Sequence, residues 1–247
     1  MSPLIGSILG ALAISIISLI GILAISVKEH ILNKFLFVLV SLSTGALLGG
    51  AFFHLLPEAI EEFGLPLKTF ELTLVGFGLF FILERALRWH HCHEAECDIH
   101  SKHLGYLNLI GDAVHNLIDG IIIYSAFEVS PALGIPVLVS IALHEIPQEI
   151  GDYGVLIYSG FKRKTALIYN FLIALTAIVG VFIGYLLTNR LENINEFLLP
   201  FAAGGFIYIA ASDLIPELHK EKNNFRAVVS FIIFIIALLV MLFLAHQ

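Results

Sequence analysis

The chain has 247 residues, of which 58% are hydrophobic and only 13% are charged, and its mean hydropathy is +0.94. These values exclude an ordinary soluble domain and indicate an integral membrane protein. The formal net charge is -7 and no basic domain stands out, so nucleic acid is not expected as a partner.

Apolar stretches that can cross about 30 Å of hydrocarbon recur along the whole chain. The first lacks the basic start and the cleavage site of a removable signal, so we expect it to remain as helix one. The fold class predicted is therefore an all-α integral membrane protein, with 1-247 as a single transmembrane domain in the lipid bilayer. The eight helices are predicted near 3-27, 35-60, 67-88, 104-127, 132-159, 165-189, 197-218 and 225-246.

The basic residues predict the orientation. All Lys and Arg residues except Lys68 and Arg190 lie in the loops after helices one, three, five and seven. The positive-inside rule then places these loops in the cytoplasm and both termini outside. Because the loops are compact and no organelle address is visible, a prokaryotic plasma membrane is the expected location.

A repeat links the second and seventh helices. Residues 45-58, GALLGGAFFHLLPE, match residues 204-217, GGFIYIAASDLIPE, at a constant offset of 159. Since the two helices run in opposite directions, this is an inverted repeat of helices 1-3 and 6-8 around a central pair, 4-5, which favours alternating access. We expect His54 near the outer mouth of the pathway, with Asp213 and Glu217 near the inner one. Helix-ending prolines beside headgroup-facing polar residues are the alternative.

The two central helices carry polar side chains at membrane depth. Such groups are costly there and usually mark a substrate path, which makes a route for a divalent cation the first hypothesis. Pro147 should bend helix five at this point, because it donates no backbone hydrogen bond and crowds the carbonyl of Leu143. The polar residues are Asp112, His115, Asn116 and Asp119 on helix four, and His144, Glu145, Gln148, Glu149 and Asp152 on helix five.

These two segments carry a family resemblance. The patterns His115-Asn116-x-x-Asp119-Gly120 and His144-Glu145-x-Pro147-Gln148-Glu149-x-Gly151-Asp152 resemble the signature of ZIP (Zrt/Irt-like) metal transporters. They are most similar to the subgroup with His-Glu-x-Pro-His-Glu-x-Gly-Asp on the fifth helix. The resemblance covers nearly the whole chain, and it implies uptake of divalent metal ions into the cytoplasm and often a homodimer.

The resemblance also implies a two-metal site at the bilayer midplane, bridged by Asp119. Many members have His or Glu where this chain has Gln148, and an amide oxygen is a weaker, uncharged ligand. Ala177 offers no ligand where some members supply a further carboxylate. The implied ligands are His115, Asp119, His144 and Gln148 for the first ion, and Asn116, Asp119, Glu145 and Gln148 for the second.

The mixture of imidazole and carboxylate groups predicts the kind of metal. It suits Zn²⁺ and other first-row divalent ions, whereas Ca²⁺ or Mg²⁺ would call for oxygen ligands alone. Zn²⁺ is therefore the expected substrate, with Fe²⁺, Mn²⁺ and Cd²⁺ as alternatives, and no cofactor is expected.

A loop at about 89-103 is rich in histidine and contains both cysteines. On the cytoplasmic side the cysteines should remain thiols. A metal-collecting loop and a flexible polar linker are both compatible with it, because the spacing matches no closed zinc motif. The candidate loop ligands are His90, His91, Cys92, His93, Cys97 and His100.

Two other functions remain as alternatives. An intramembrane zinc metalloprotease would explain His144-Glu145 as the start of His-Glu-x-x-His, but Gln148 stands in place of the second histidine. The inverted repeat also has no purpose in a protease, so the chain is predicted not to be an enzyme. A metal-selective channel of the same fold cannot be separated from a carrier by sequence.

Overall fold

The computed structural model describes residues 2-20, 29-89 and 98-246, and in these ranges the chain forms eight long helices, α1 to α8. Several of them contain a break or a turn of different pitch. The bounds are Pro3–Ile17 with a 3₁₀ turn Ser18–Ile20 (α1); Glu29–Gly49, a π-helical turn Gly50–Leu55 and Leu56–Phe63 (α2); Pro66–Trp89 (α3); Asp98–Val129 (α4); Pro131–Tyr158 (α5); Arg163–Ala174 and Thr176–Arg190 (α6); Asn195–Ile209, a π-helical turn Ala210–Leu214 and Ile215–His219 (α7); and Asn224–Leu244 (α8).

The helices have the length and composition of membrane spans. Within the described ranges, all but α4 and α5 are long and apolar enough to cross a bilayer. The central two have 32 and 28 residues, more than the roughly 20 that a span requires. Their polar side chains lower their hydropathy. The chain is an all-α integral membrane protein, as predicted.

The helix bounds differ from the sequence prediction in one functional region. Helix α4 begins at Asp98, not near residue 104, so the second part of the predicted loop at 89-103 is helical. His90, His91, Cys92, His93 and Cys97 lie outside the described residues, and His100 lies in the first turn of α4, with its side chain also outside them.

The two π-helical turns occupy equivalent positions of the inverted repeat. In α2 the Leu56 N–H donates to Ala51 O, and in α7 the Ile215 N–H donates to Ala210 O, so both bonds span five residues. Each lies just before a proline, Pro57 or Pro216. Because proline has no N–H and crowds the carbonyl four residues earlier, the ladder shifts to the wider spacing there.

The repeat also governs how the outer helices pack. Helix α2 packs along α8, and its equivalent α7 packs along α3. Glycine permits both approaches: a Cβ at Gly45 would lie 2.5 Å from Phe234 O, and one at Gly204 would lie 2.1 Å from Thr73 O. The two crossings therefore need the same residue at the same place in each copy.

The eight helices form two groups of four. Helices α1, α4, α5 and α6 pack on one another, as do α2, α3, α7 and α8, and α2 against α5 is a main contact between the groups. Ser43 Oγ donates to Leu143 O at 2.6 Å and Ser140 Oγ donates to Ala46 O at 3.0 Å across this contact. The polar residues of the α4 and α5 segments, from Asp112 to Asp119 and from His144 to Asp152, all belong to the first group.

Candidate metal site

Four side chains from α4 and α5 converge in the centre of the first group. His115 and Asp119 are one helical turn apart on α4, and His144 and Glu145 are adjacent on α5. Each offers one nitrogen or oxygen, and these four atoms all lie within 4.8 Å of one another. We call these four residues the central cluster.

The distances in the central cluster are those of ligands gathered around one point. His115 Nε2 lies 3.2 Å from His144 Nε2 and 3.3 Å from Glu145 Oε1. Asp119 Oδ2 lies 3.4 Å from His144 Nε2 and 3.7 Å from His115 Nε2. The His115 side chain is 15% exposed, and the other three are 3% exposed or less. The cluster is thus buried, with one histidine at its accessible edge.

The backbone of α5 orients His144. Its Nδ1 lies 3.1 Å from Ser140 O, an acceptor, so Nδ1 carries the hydrogen and the Nε2 lone pair faces the cluster. Metal-binding histidines commonly have their second nitrogen fixed by such a bond. Phe206 packs edge-on against the imidazole, with ring centroids 6.2 Å apart.

Three of the four carboxylate oxygens in the cluster lack a hydrogen-bond partner among the described residues. Asp119 Oδ2 and both oxygens of Glu145 are buried without a hydrogen bond among the described residues. A buried carboxylate is costly unless it is paired or coordinates a cation. Two imidazoles with two carboxylates fit Zn²⁺ and similar first-row ions.

Pro147 lies inside α5, one turn after Leu143. The helix runs from Pro131 to Tyr158 and contains both Pro136 and Pro147, and the bend expected at Pro147 stays a prediction. The Leu143 carbonyl, which Pro147 cannot bond, accepts the Ser43 hydroxyl. A hydroxyl from α2 thus replaces the missing bond one residue before His144.

Asn116 and Gln148 are oriented towards Asp112. Asn116 is fully buried, and its Nδ2 lies 2.8 Å from Asp112 Oδ1 and 3.1 Å from Asp112 O. The Gln148 Nε2 lies 3.5 Å from the same carboxylate oxygen. The buried Asn116 Oδ1 has no hydrogen-bond partner among the described residues. Their ligand roles stay predictions.

Two adjoining cavities of about 230 Å³ and about 940 Å³ border the cluster. His115 lines the smaller cavity and His144 lines the larger, while Gln148, Asp152 and Asp213 line both. The smaller cavity is lined by carboxylates and by no Lys or Arg side chain among the described residues, which suits a cation. Its acidic residues are Glu84, Asp112, Asp152 and Asp213.

The predicted pathway residues fall in different places. Asp213 and Glu217 line the larger cavity and are at least partly exposed. His54 is buried, and its Nε2 lies 2.9 Å from Met241 O of α8, so the ring is turned towards the helix pair α2 and α8. Glu149 is also buried, and its carboxylate accepts the amide of Asn170 on α6. Neither His54 nor Glu149 lines the two cavities.

Sequence reasoning missed three polar residues of the smaller cavity. Glu84 lines both cavities, and Asn108 and Tyr208 line the smaller one. The Tyr208 hydroxyl donates to Glu84, which ties α7 to α3. Glu84 has the sequence signature of a headgroup contact, beside Arg85 at a helix end. Only Asn108 carried a signal, because it lies one turn from Asp112 on the polar stripe of α4.

Comparisons with known proteins agree with the geometry. A family model described as "ZIP Zinc transporter" matches residues 90-245. "Zinc transporter zipt-7.1" of Caenorhabditis briggsae is 29% identical over 81% of this chain and 67% of its own length. "Zinc transporter YKE4" of Saccharomyces cerevisiae is 30% identical over 76% of this chain, which spans 62% of that relative. "Zinc transporter ZIP10" of Homo sapiens is 35% identical over 56% of this chain and 18% of its own length.

Proposed function

Since the chain belongs to the ZIP zinc transporter family, we propose that it moves divalent metal cations across a membrane into the cytoplasm, with Zn²⁺ as the main substrate. The central cluster carries this proposal, because its imidazoles and unpartnered carboxylates form a donor set for such ions beside a cavity lined by acidic residues. Fe²⁺, Mn²⁺ and Cd²⁺ are further substrates for the same donors. The family consists of transporters, so the chain is not assigned as an enzyme.

The ion is held in a binuclear site at the midplane. The central cluster brings together three of the ligands proposed for the first ion and Glu145, which is proposed for the second. Asp119 is the proposed bridge between the two ions. Asn116 and Gln148 complete the two ligand sets when their amide oxygens face the ions. The oxygen and the nitrogen of an amide are told apart only by their hydrogen bonds, so each amide can be turned to present its oxygen. The ligands proposed are His115, Asp119, His144 and Gln148, and Asn116, Asp119, Glu145 and Gln148.

Alternating access is the proposed mechanism. The cavities border the cluster on the side of Glu217 and Lys220, at the end of α7 that the positive-inside rule assigns to the cytoplasm. On the other side, Phe206 is 1% exposed and a Cβ at Gly50 would lie 2.7 Å from Ser140 Oγ, so α2, α5 and α7 leave little space. These contacts fit a state open only to the cytoplasm. The inverted repeat supplies the opposite state.

The remaining features are proposals of the same kind. Both termini lie outside, the His/Cys-rich segment collects metal in the cytoplasm, and the transporter is a homodimer. A prokaryotic plasma membrane remains the proposed location, although the relatives named above are eukaryotic and lend it no support.

Transport in proteoliposomes separates the carrier from its rivals. Initial zinc uptake should saturate with concentration for a carrier, and a proton gradient should change the rate only if protons are coupled to it. Uptake that rises linearly with concentration over the same range would favour the metal-selective channel. No uptake of any of the four metals would contradict the proposal.

A further inference from the structure

The smaller cavity contains a second group of oxygen-bearing side chains. Asp112 and Asn108 lie about one and two turns before His115 on α4, and Gln148 and Asp152 lie about one and two turns after His144 on α5. All four line the cavity of about 230 Å³. We call them the lower group.

In each carboxylate of the lower group, one oxygen accepts a hydrogen bond from an amide. Asp152 Oδ1 accepts the Asn108 amide at 3.0 Å, and Asp112 Oδ1 accepts the Asn116 amide at 2.8 Å. Asp112 Oδ2 and Asp152 Oδ2 are buried and have no hydrogen bond among the described residues. Each aspartate thus keeps one oxygen for a ligand.

No Lys or Arg side chain among the described residues lines the cavity beside these two oxygens. Asp112 is only 5% exposed. Buried carboxylates are found paired with a positive group or bound to a metal, because an isolated ionised group is very costly. A cation in the cavity is the partner that both aspartates lack.

We propose that Asn108, Asp112, Gln148 and Asp152 form a further divalent-cation site, separate from the central cluster. This inference rests on the proposed function, in which the cation passes through the cavity. The ligands are two carboxylates and two amide oxygens, with the amides turned towards the ion. Gln148 is shared with the central site and lies at the border between the two.

The chemistry of the lower group gives it a role in release. A site of oxygen atoms alone favours hard cations such as Mn²⁺ and holds Zn²⁺ less tightly than one with imidazoles. An ion that leaves His115 and His144 therefore meets a weaker site one turn away. Transport requires such a sequence of sites that bind and let go.

Mn²⁺ binding to the full chain in lipid nanodiscs tests the site, with the electron paramagnetic resonance signal of free Mn²⁺ as the readout. The His115→Ala/His144→Ala variant removes both imidazoles of the central cluster. Asp112→Asn/Asp152→Asn, added to that background, removes the two carboxylates with little change in volume. Glu71→Gln/Glu192→Gln in the same background is the control, because both residues are exposed and the change in charge is equal.

The first variant should still bind Mn²⁺, the aspartate changes should weaken that binding by about tenfold or more, and the control should not alter it. Loss of all Mn²⁺ binding in the first variant, or equal affinity after the aspartate changes, would overturn the proposal. Zinc uptake by the first variant is a separate result: intact uptake would contradict the role of the central cluster, whichever way the Mn²⁺ titration falls.

A measurement on the unchanged chain covers the case in which the aspartate variant does not fold. With Zn²⁺ filling both positions of the proposed binuclear site, added Mn²⁺ should show an electron spin echo signal without imidazole ¹⁴N coupling. If every bound Mn²⁺ couples to imidazole nitrogen, the separate site does not exist.

Discussion

His144 shows how packing orients one of the proposed metal ligands. Its Nδ1 faces Ser140 O, its ring packs against Phe206, and its Nε2 lies among Asp119, Glu145 and His115. The ring is fixed before any ion arrives. Such preorganisation lowers the cost of ordering the ligand when it binds.

We predict that His144→Ala and His115→Ala each abolish zinc uptake while the protein still folds. Each removes an imidazole ligand and leaves buried carboxylates without a partner. The measurement is initial zinc uptake in proteoliposomes at equal protein content. His246→Ala, at the exposed end of the chain, is the control and should transport normally. Near-normal uptake by either cluster variant would remove that histidine from the site.

A second prediction concerns the hydroxyl that replaces the bond lost at Pro147. Ser43→Ala should lower the free energy of unfolding by roughly 1 kcal/mol, because Leu143 O then has no donor. In a Pro147→Ala background the loss should be smaller, since the alanine introduced there has a backbone N–H that can bond Leu143 O. Denaturant unfolding of the four proteins measures this coupling.

Ser7→Ala is the control for this cycle, because Ser7 is buried and its hydroxyl bonds Pro3 O, in its own helix. Its effect should be the same with and without Pro147. Equal losses for Ser43→Ala in both backgrounds would show that Ser43 and Pro147 act independently.

At the scale of the helices, the sequence predicted most of the elements and the central cluster. The apolar stretches predicted the helices because a span needs about 20 apolar residues. The helical period of 3.6 residues predicted that His115 and Asp119 lie one turn apart on one face of α4. His144 and Glu145 are consecutive and were predicted on one broad face of α5. The repeat of 45-58 in 204-217 predicted that α2 and α7 are equivalent, and the two π-helical turns agree with this.

Contacts between distant helices could not be predicted in the same way. Ser43 lies 100 residues from Leu143, and Tyr208 lies 124 residues from Glu84, so neither pair has a local pattern. The turning of His54 towards Met241 O, 187 residues away, is of the same kind. Polarity placed His54 on a path, but packing between α2 and α8 decides which way it faces.

A third prediction compares two parts of the proposed route to the cytoplasm. Asp213 lies on the π-helical turn of α7 and lines both cavities, where its carboxylate can attract an ion that leaves the cluster. Asp213→Ala should therefore slow turnover more than replacement of all histidines and cysteines from His90 to His103. Water can replace a loop ligand at little cost outside the hydrocarbon.

Initial uptake over a range of zinc concentrations, at equal surface expression, measures both variants. The loop replacement should change the apparent affinity and leave transport running. If the loop variant shows no zinc uptake and the Asp213→Ala variant transports normally, the loop is essential and the proposed role of Asp213 is wrong.

At the scale of the whole molecule, the proposed ligands belong to one group of four helices and the inverted repeat relates the outer helices of both groups. The cluster therefore lies where α4 and α5 of one group meet α2 and α7 of the other, through Ser43, Ser140 and Phe206. The proposed change of access would require movement at this boundary. The hydrogen bonds that Ser43 and Ser140 donate across this boundary would have to break or change partners in such a movement.

The orientation gives a fourth prediction. A cysteine placed at Glu192 or Glu62 should react with an impermeant thiol reagent added outside, and one placed at Arg163 should not, because the positive-inside rule predicts that the basic loops are cytoplasmic. The introduced cysteines are compared in a chain in which Cys92 and Cys97 are replaced by serine. Labelling of the Arg163 position alone from outside would mean the opposite orientation.

X-ray absorption at the zinc edge tests the central claim most directly, since that claim is that His115 and His144 bind the transported ion together with Asp119 and Glu145. Zinc bound to the purified protein should show nitrogen and oxygen neighbours at about 2.0 to 2.2 Å, with the multiple scattering of two imidazoles and no sulfur. That imidazole signal should be lost in His115→Ala/His144→Ala. A sulfur neighbour near about 2.3 Å, or an unchanged imidazole signal in the double variant, would place the bound zinc elsewhere in the chain and contradict the account.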